Sequence, residues 1–122
     1  MSEDSSPHAG KRVLVVEDEV LLALTLEDHL RDFGWVVVGP YHDLETALAA
    51  AGAEAFDCAI LDVNLNGEMV FPLAEDLIGR AIPFLFVTGY AAGNLPSHLR
   101  SVPRVAKPYE GAVLLQALAA LA

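Results

Sequence analysis

Four short, unbroken apolar runs constrain this chain most: Val13-Leu14-Val15-Val16, Val36-Val37-Val38, Cys58-Ala59-Ile60-Leu61 and Phe84-Leu85-Phe86-Val87. A strand with one wet face alternates apolar and polar residues. A run that is apolar at every position needs cover on both faces. The intervening stretches supply that cover. Leu22, Leu26, Leu30 and Phe33 recur at helical spacing, and Gly34 follows as a C-terminal cap. The second run stops at Gly39-Pro40, and Asp43 caps a helix from Leu44 to about Ala51. A third helix spans Met69 to about Ile78, with Pro72 tolerated near its start. Val105-Ala106 reads as a short fifth strand. Tyr109 to Leu121 reads as a last helix with Val113, Leu114, Ala117, Leu118 and Leu121 inward. Strands alternating with helices predict an α/β fold, a doubly wound three-layer sandwich with a five-stranded parallel sheet. Right-handed crossovers favour the strand order 2-1-3-4-5.

The chain of 122 residues is one domain's worth. Residues 1–10 lack periodicity and predict a disordered tail, leaving 11–122 as the folded unit. The net charge of −10 argues against a nucleic-acid or anionic-membrane partner. All acidic residues but Glu110 precede residue 77, whereas Arg80, Arg100, Arg104 and Lys107 follow it, marking the C-terminal part as a candidate partner-binding face. No apolar run approaches a membrane span, and the single Cys58 excludes an intramolecular disulfide and a cysteine-based zinc site. The expectation is a cytoplasmic protein.

Open parallel sheets bind ligands beyond the carboxyl ends of their strands. There stand Glu17, Asp18 and Glu19 after strand 1, and Asp62, then Val63-Asn64-Leu65-Asn66-Gly67, after strand 3. Thr88-Gly89-Tyr90 follow strand 4, and Lys107-Pro108 follow strand 5. The predicted order makes strands 1 and 3 neighbours, which crowds Glu17, Asp18 and Asp62 into one pocket. Glu19 reads as a helix-capping or solvated residue. Like charges about 4 Å apart repel by about 4 kcal/mol at an effective dielectric of 20, so such a cluster implies a cation. Hard oxygen ligands suit Mg2+, with Mn2+ or Ca2+ as substitutes. The set supports phosphoryl transfer to the Asp62 carboxylate. Asp18 and Asp62 would hold the metal, with Glu17 acting through water. Lys107 supplies positive charge and the Thr88 hydroxyl a hydrogen bond, while backbone N–H groups near Val63, Asn64 and Gly89 serve the remaining oxygens. Gly67 lets the chain turn into the third helix.

Val15-Val16-Glu17-Asp18, Leu61-Asp62, Val87-Thr88-Gly89 and Lys107-Pro108 occur in order on the expected strand ends. In this the chain resembles, from about Lys11 to Leu121, the receiver domain of bacterial two-component response regulators, the CheY-like family with its flavodoxin-like fold. The resemblance implies a phosphorelay protein whose Asp62 accepts a phosphoryl group from a sensor histidine kinase or a histidine phosphotransfer protein. It further implies the Asn64 backbone carbonyl as a metal ligand, a cis Lys107–Pro108 peptide, and an unknown downstream protein as partner. Such a domain is not a turnover enzyme on an external substrate, and a monomer is expected. Two features depart from the common pattern. Arg104 occupies the usual position of an aromatic switch residue, and Gly93, Pro96 and Pro103 predict a short, irregular or absent fourth helix. Both, with Phe86-Val87-Thr88-Gly89-Tyr90, resemble the FATGUY receivers, many of them stand-alone and served by HWE or HisKA2 kinases. The switch is then expected to run through closure of Thr88-Gly89-Tyr90 over the site, changing the surface around Arg100 and Arg104.

Three rival readings share parts of this pattern. An aspartyl-phosphate hydrolase needs a second acid where Asn64 stands. A flavodoxin needs a phosphate-binding first loop, which Glu17-Asp18-Glu19 would repel. A pseudo-receiver binding module would keep the fold without the reaction. Cys58 and Trp35 read as packing residues, Met69 and Phe71 as packing of the third helix, and His8, His29, His42 and His98 as surface residues.

Overall fold

The structure is a computed structural model, and it describes residues 9–89 and 95–121. Strands β1 (Arg12–Val16), β2 (Val36–Tyr41), β3 (Cys58–Asp62), β6 (Phe84–Thr88) and β7 (Arg104–Ala106) form one parallel sheet in the order β2-β1-β3-β6-β7. This is the order anticipated from the apolar runs, with a two-stranded antiparallel hairpin, β4 (Asn64–Leu65) and β5 (Glu68–Met69), inserted after β3.

Because strand side chains alternate, the sheet faces two cores. Leu14, Val16, Leu61 and Phe86 pack against Ala47 and Ala51 of α2 (Leu44–Ala53) and Leu73 and Leu77 of α3 (Phe71–Gly79). Val13, Val15, Ile60, Leu85 and Val87 pack against Leu26 and Leu30 of α1 (Val20–Asp32) and Leu114 and Leu118 of α4 (Gly111–Leu121). Burying each of the Val, Leu, Ile and Phe side chains among them contributes about 1.5–3 kcal/mol. Trp35 and Cys58 belong to this second core. Asp43 caps α2 by accepting the Thr46 N–H at 2.8 Å. Between β6 and β7 the helix among the described residues is one 3-10 turn, Ser97–Leu99, as the prolines predict.

Several elements differ from the sequence expectation. β2 does not stop at Gly39-Pro40 but runs on to Tyr41, with a register shift against β1 between Leu14 and Val16. It is an edge strand, where proline's missing N–H leaves no ladder bond unmade. Met69 lies in β5, so α3 begins two residues later, at Phe71. α4 begins at Gly111 rather than Tyr109, and Val113 is exposed instead of inward. Phe33 is also exposed and packs on the His29 ring at 5.7 Å. His29 and His42 are half-buried; His29 fills the space where Gly111 could bear no side chain. His98 is exposed and sits 3.1 Å from Glu75, and His8 lies outside the described residues.

Candidate functional site

The carboxyl ends of β1, β3, β6 and β7 meet at a cleft of about 480 Å³ lined by Asp18, Asp62, Asn64, Thr88, Gly89 and Lys107, among others. Asp62 ends β3, between β1 and β6, and is 4% exposed. Glu17, directly after β1, is equally buried. Lys107 reaches in from the end of β7, its Nζ 3.0 Å from Asp62 Oδ2 and 3.1 Å from Glu17 Oε1. Its backbone N–H donates to the Thr88 carbonyl at 3.0 Å, which fixes β7's end against β6. The Lys107–Pro108 peptide is cis. Glu19 occupies the N-cap position of α1 without a side-chain capping bond, exposed and 3.8 Å from Lys107.

Glu17, Asp18 and Asp62 each offer a carboxylate oxygen within 4.8 Å of the others, a donor set that fits a hard divalent cation. The charges perturb one another accordingly. Burial, then the neighbouring Asp18 and Glu17, push the Asp62 carboxyl up to about 8, although Lys107 opposes them. Burial also raises Asp18, but hydrogen bonding with Asp62 and Glu17, the Asn66 N–H and the Lys107 charge outweigh it and hold Asp18 below 3.8. Burial disfavours the Lys107 charge, yet its hydrogen bond and attraction to Asp62, joined by Glu17, raise its pKa overall.

The hairpin explains what the β3 loop does. Asn66 (φ 56°) and Gly67 (φ 93°) form its two-residue tip, both in the left-handed region that an Asn-Gly pair favours. The Asn66 N–H donates to Asp18 Oδ2 at 3.0 Å, and the Gly67 N–H to Asn64 Oδ1 at 2.6 Å. Gly67 thus closes the hairpin rather than turning the chain into α3. The Val63 N–H donates to the Val87 carbonyl at 3.2 Å, so it serves the sheet rather than a bound phosphoryl group. Thr88 is buried at the end of β6, and Gly89 lies at the rim of the cleft. Tyr90 lies outside the described residues. Arg104 is exposed, its Nη1 donating to the Arg100 carbonyl at 3.3 Å. Sequence reasoning missed Asn66, whose Asn-Gly pair was the available signal, and His42, whose ring meets the Glu17 backbone.

No family model matches the chain. Solved structures do. SdrG from Sphingomonas melonis Fr1 is 40% identical with a TM-score of 0.79, over 99% of this chain and 98% of that one. The BeF3-activated conformation of SdrG matches at 41% identity and TM-score 0.77, over 93% of this chain and 97% of that one. The receiver domain of the response regulator PhyR from Erythrobacter litoralis matches at 26% identity and TM-score 0.80, over 93% and 90% of the two chains. Among curated relatives, the transcriptional regulatory protein PdtaR of Mycobacterium tuberculosis is 27% identical over 119 residues. That match covers 94% of this chain but 58% of PdtaR, so the chain spans little more than half the length of that relative. This chain belongs to the CheY-like receiver domains of response regulators. No described helix is long and apolar enough to cross a membrane.

Proposed function

We propose that residues 11–122 form a phosphoryl-accepting receiver in a two-component relay, acting as a single-domain response regulator of the FATGUY type. One observation carries the reading: Asp62 lies at the floor of an open cleft, 3.0 Å from Lys107, with two further carboxylates within 4.8 Å. The donor is a phosphohistidine on a sensor kinase of HWE or HisKA2 type, or on a phosphotransfer protein. Asp62 Oδ attacks phosphorus as the P–N bond to the donor imidazole breaks. The imidazole leaves with the bonding pair and is protonated, and an aspartyl phosphate remains. Glu17, Asp18, Asp62 and the Asn64 carbonyl would hold Mg2+. Bound there, the metal supplies positive charge against the acids and the transferring oxygens. Lys107 orients the Asp62 carboxylate and neutralises one phosphoryl oxygen. The Thr88 hydroxyl and the Gly89 N–H, at the rim, bond the others.

The response then passes through Thr88-Gly89-Tyr90 to the Arg100–Arg104 surface, which a downstream protein reads. An exposed Arg104 fits this route better than an inward switch residue, because burying an unpaired guanidinium is costly. That SdrG has a BeF3-activated conformation supports the reading. The test is intact mass after treatment with acetyl phosphate and Mg2+. Wild type gains one phosphoryl mass, and Asp62→Asn or excess EDTA abolishes the gain. Full labelling of Asp62→Asn refutes the assignment. An unlabelled wild type supports the pseudo-receiver reading instead.

A further inference from the structure

The extended end of β2 does something at the site that the apolar runs do not account for. After the register shift, Tyr41 pairs with Val16, and its carbonyl accepts the Glu17 N–H at 2.9 Å. The next residue, His42, places Nδ1 2.8 Å from the Glu17 carbonyl oxygen. Consecutive residues of one strap therefore hold both backbone polar groups of Glu17. Gly39 makes this approach feasible. Its φ is +106°, and a Cβ there would stand 2.9 Å from the Tyr41 nitrogen and 3.0 Å from the Val15 carbonyl.

The Glu17 carbonyl and the Asp18 N–H belong to one planar peptide. Whatever holds that carbonyl sets the plane from which the two acids diverge. The Glu17 side chain is already held by the Glu19 N–H at 3.0 Å and by Lys107. The Asp18 side chain is held by the Asn66 N–H. The carbonyl of the peptide between them meets the His42 ring. His42 is not among the residues lining the cleft, so it acts through the acids and not on a ligand. Resting on the reading of the acid cluster as a divalent-cation site, we propose that His42 is a positioning residue for that site, orienting the Glu17–Asp18 peptide through a donated Nδ1–H. A carbonyl only accepts, so the bond selects the Nδ1–H tautomer of neutral imidazole.

The experiment is an NMR titration of the labelled protein with Mg2+, read at the Asn66 amide, on wild type, His42→Ala and His42→Asn. Removing an outer partner of a metal ligand costs about tenfold or more in affinity, so His42→Ala should weaken Mg2+ binding by about that factor. Asparagine presents an N–H near the Nδ1 position and should restore affinity to within about threefold of wild type. A packing role alone would lower the melting temperature in EDTA and leave Mg2+ affinity unchanged in both variants, and that result overturns the proposal. The imidazole tautomer, read in the wild type at pH 8 by long-range 1H–15N correlation, needs no variant to fold. An Nε2–H tautomer overturns the proposal by itself. A wild type with no Mg2+-dependent shifts overturns the cation site, and this proposal with it.

Discussion

Replacing Asp62 with asparagine should stabilise the metal-free protein, although it removes a buried ion pair. Lys107 at 3.0 Å attracts an ionised Asp62 by about 5–6 kcal/mol at an effective dielectric of 20, while Glu17 and Asp18, at up to 4.8 Å, each repel it by about 3–4. The balance is a net repulsion of about 1–2 kcal/mol before the lost hydration of a buried carboxylate is counted. Asparagine keeps the shape, accepts from Lys107 and donates to an acid, and Lys107 keeps Glu17 as partner. The sign follows the raised pKa, from 3.8 to about 8 in the folded state. A proton on Asp62 favours the folded state, so wild-type stability from this group is full below 3.8 and is lost as pH rises toward 8. Thermal denaturation in EDTA should therefore find Asp62→Asn more stable by about 1–2 kcal/mol at pH 8.5, roughly 4–8 °C. The advantage should shrink at pH 5. A variant less stable than wild type at pH 8.5 would mean that Lys107 outweighs both acids, and the electrostatic argument would fail.

Three other outcomes follow from the geometry. Mg2+ should raise the wild-type melting temperature, more strongly at pH 8 than at pH 6 because the metal displaces the Asp62 proton, and should not raise that of Asp62→Asn; differential scanning fluorimetry reads all of these. Cys58 is fully buried, and burial pushes its thiol up to about 12, so a thiol reagent should label it only after denaturant unfolds the chain. Asp43→Ala should lower the midpoint of urea denaturation, because the Thr46 N–H at the start of α2 loses its cap.

The sheet was legible because its strands are buried on both faces, and that leaves an unbroken apolar run no amphipathic element shares. Once the order was set, the acids and Lys107 had to converge, since their strands end together. What escaped lies where local signals conflict. Pro40 argues for a strand stop and is overridden because β2 is an edge. The hairpin strands are two residues each, too short for any periodicity to register, and only Asn66-Gly67 marks them. The buried stripe of α4 is centred on Leu114 and Leu118, and Val113 is turned about 100° round the helix from Leu114, onto the exposed side. The contact between His42 and the Glu17 backbone joins residues 25 apart in the sequence, so only the paired strands reveal it.

Borohydride trapping locates the phosphoryl group, which is expected on the Asp62 carboxylate. Borohydride reduces an aspartyl phosphate to homoserine, and peptide mapping then locates the residue that changed. After treatment with acetyl phosphate and Mg2+, homoserine should appear at position 62 and nowhere else. Homoserine at position 18 or 57, or a phosphoryl group that resists reduction because it sits on a histidine, would contradict the account.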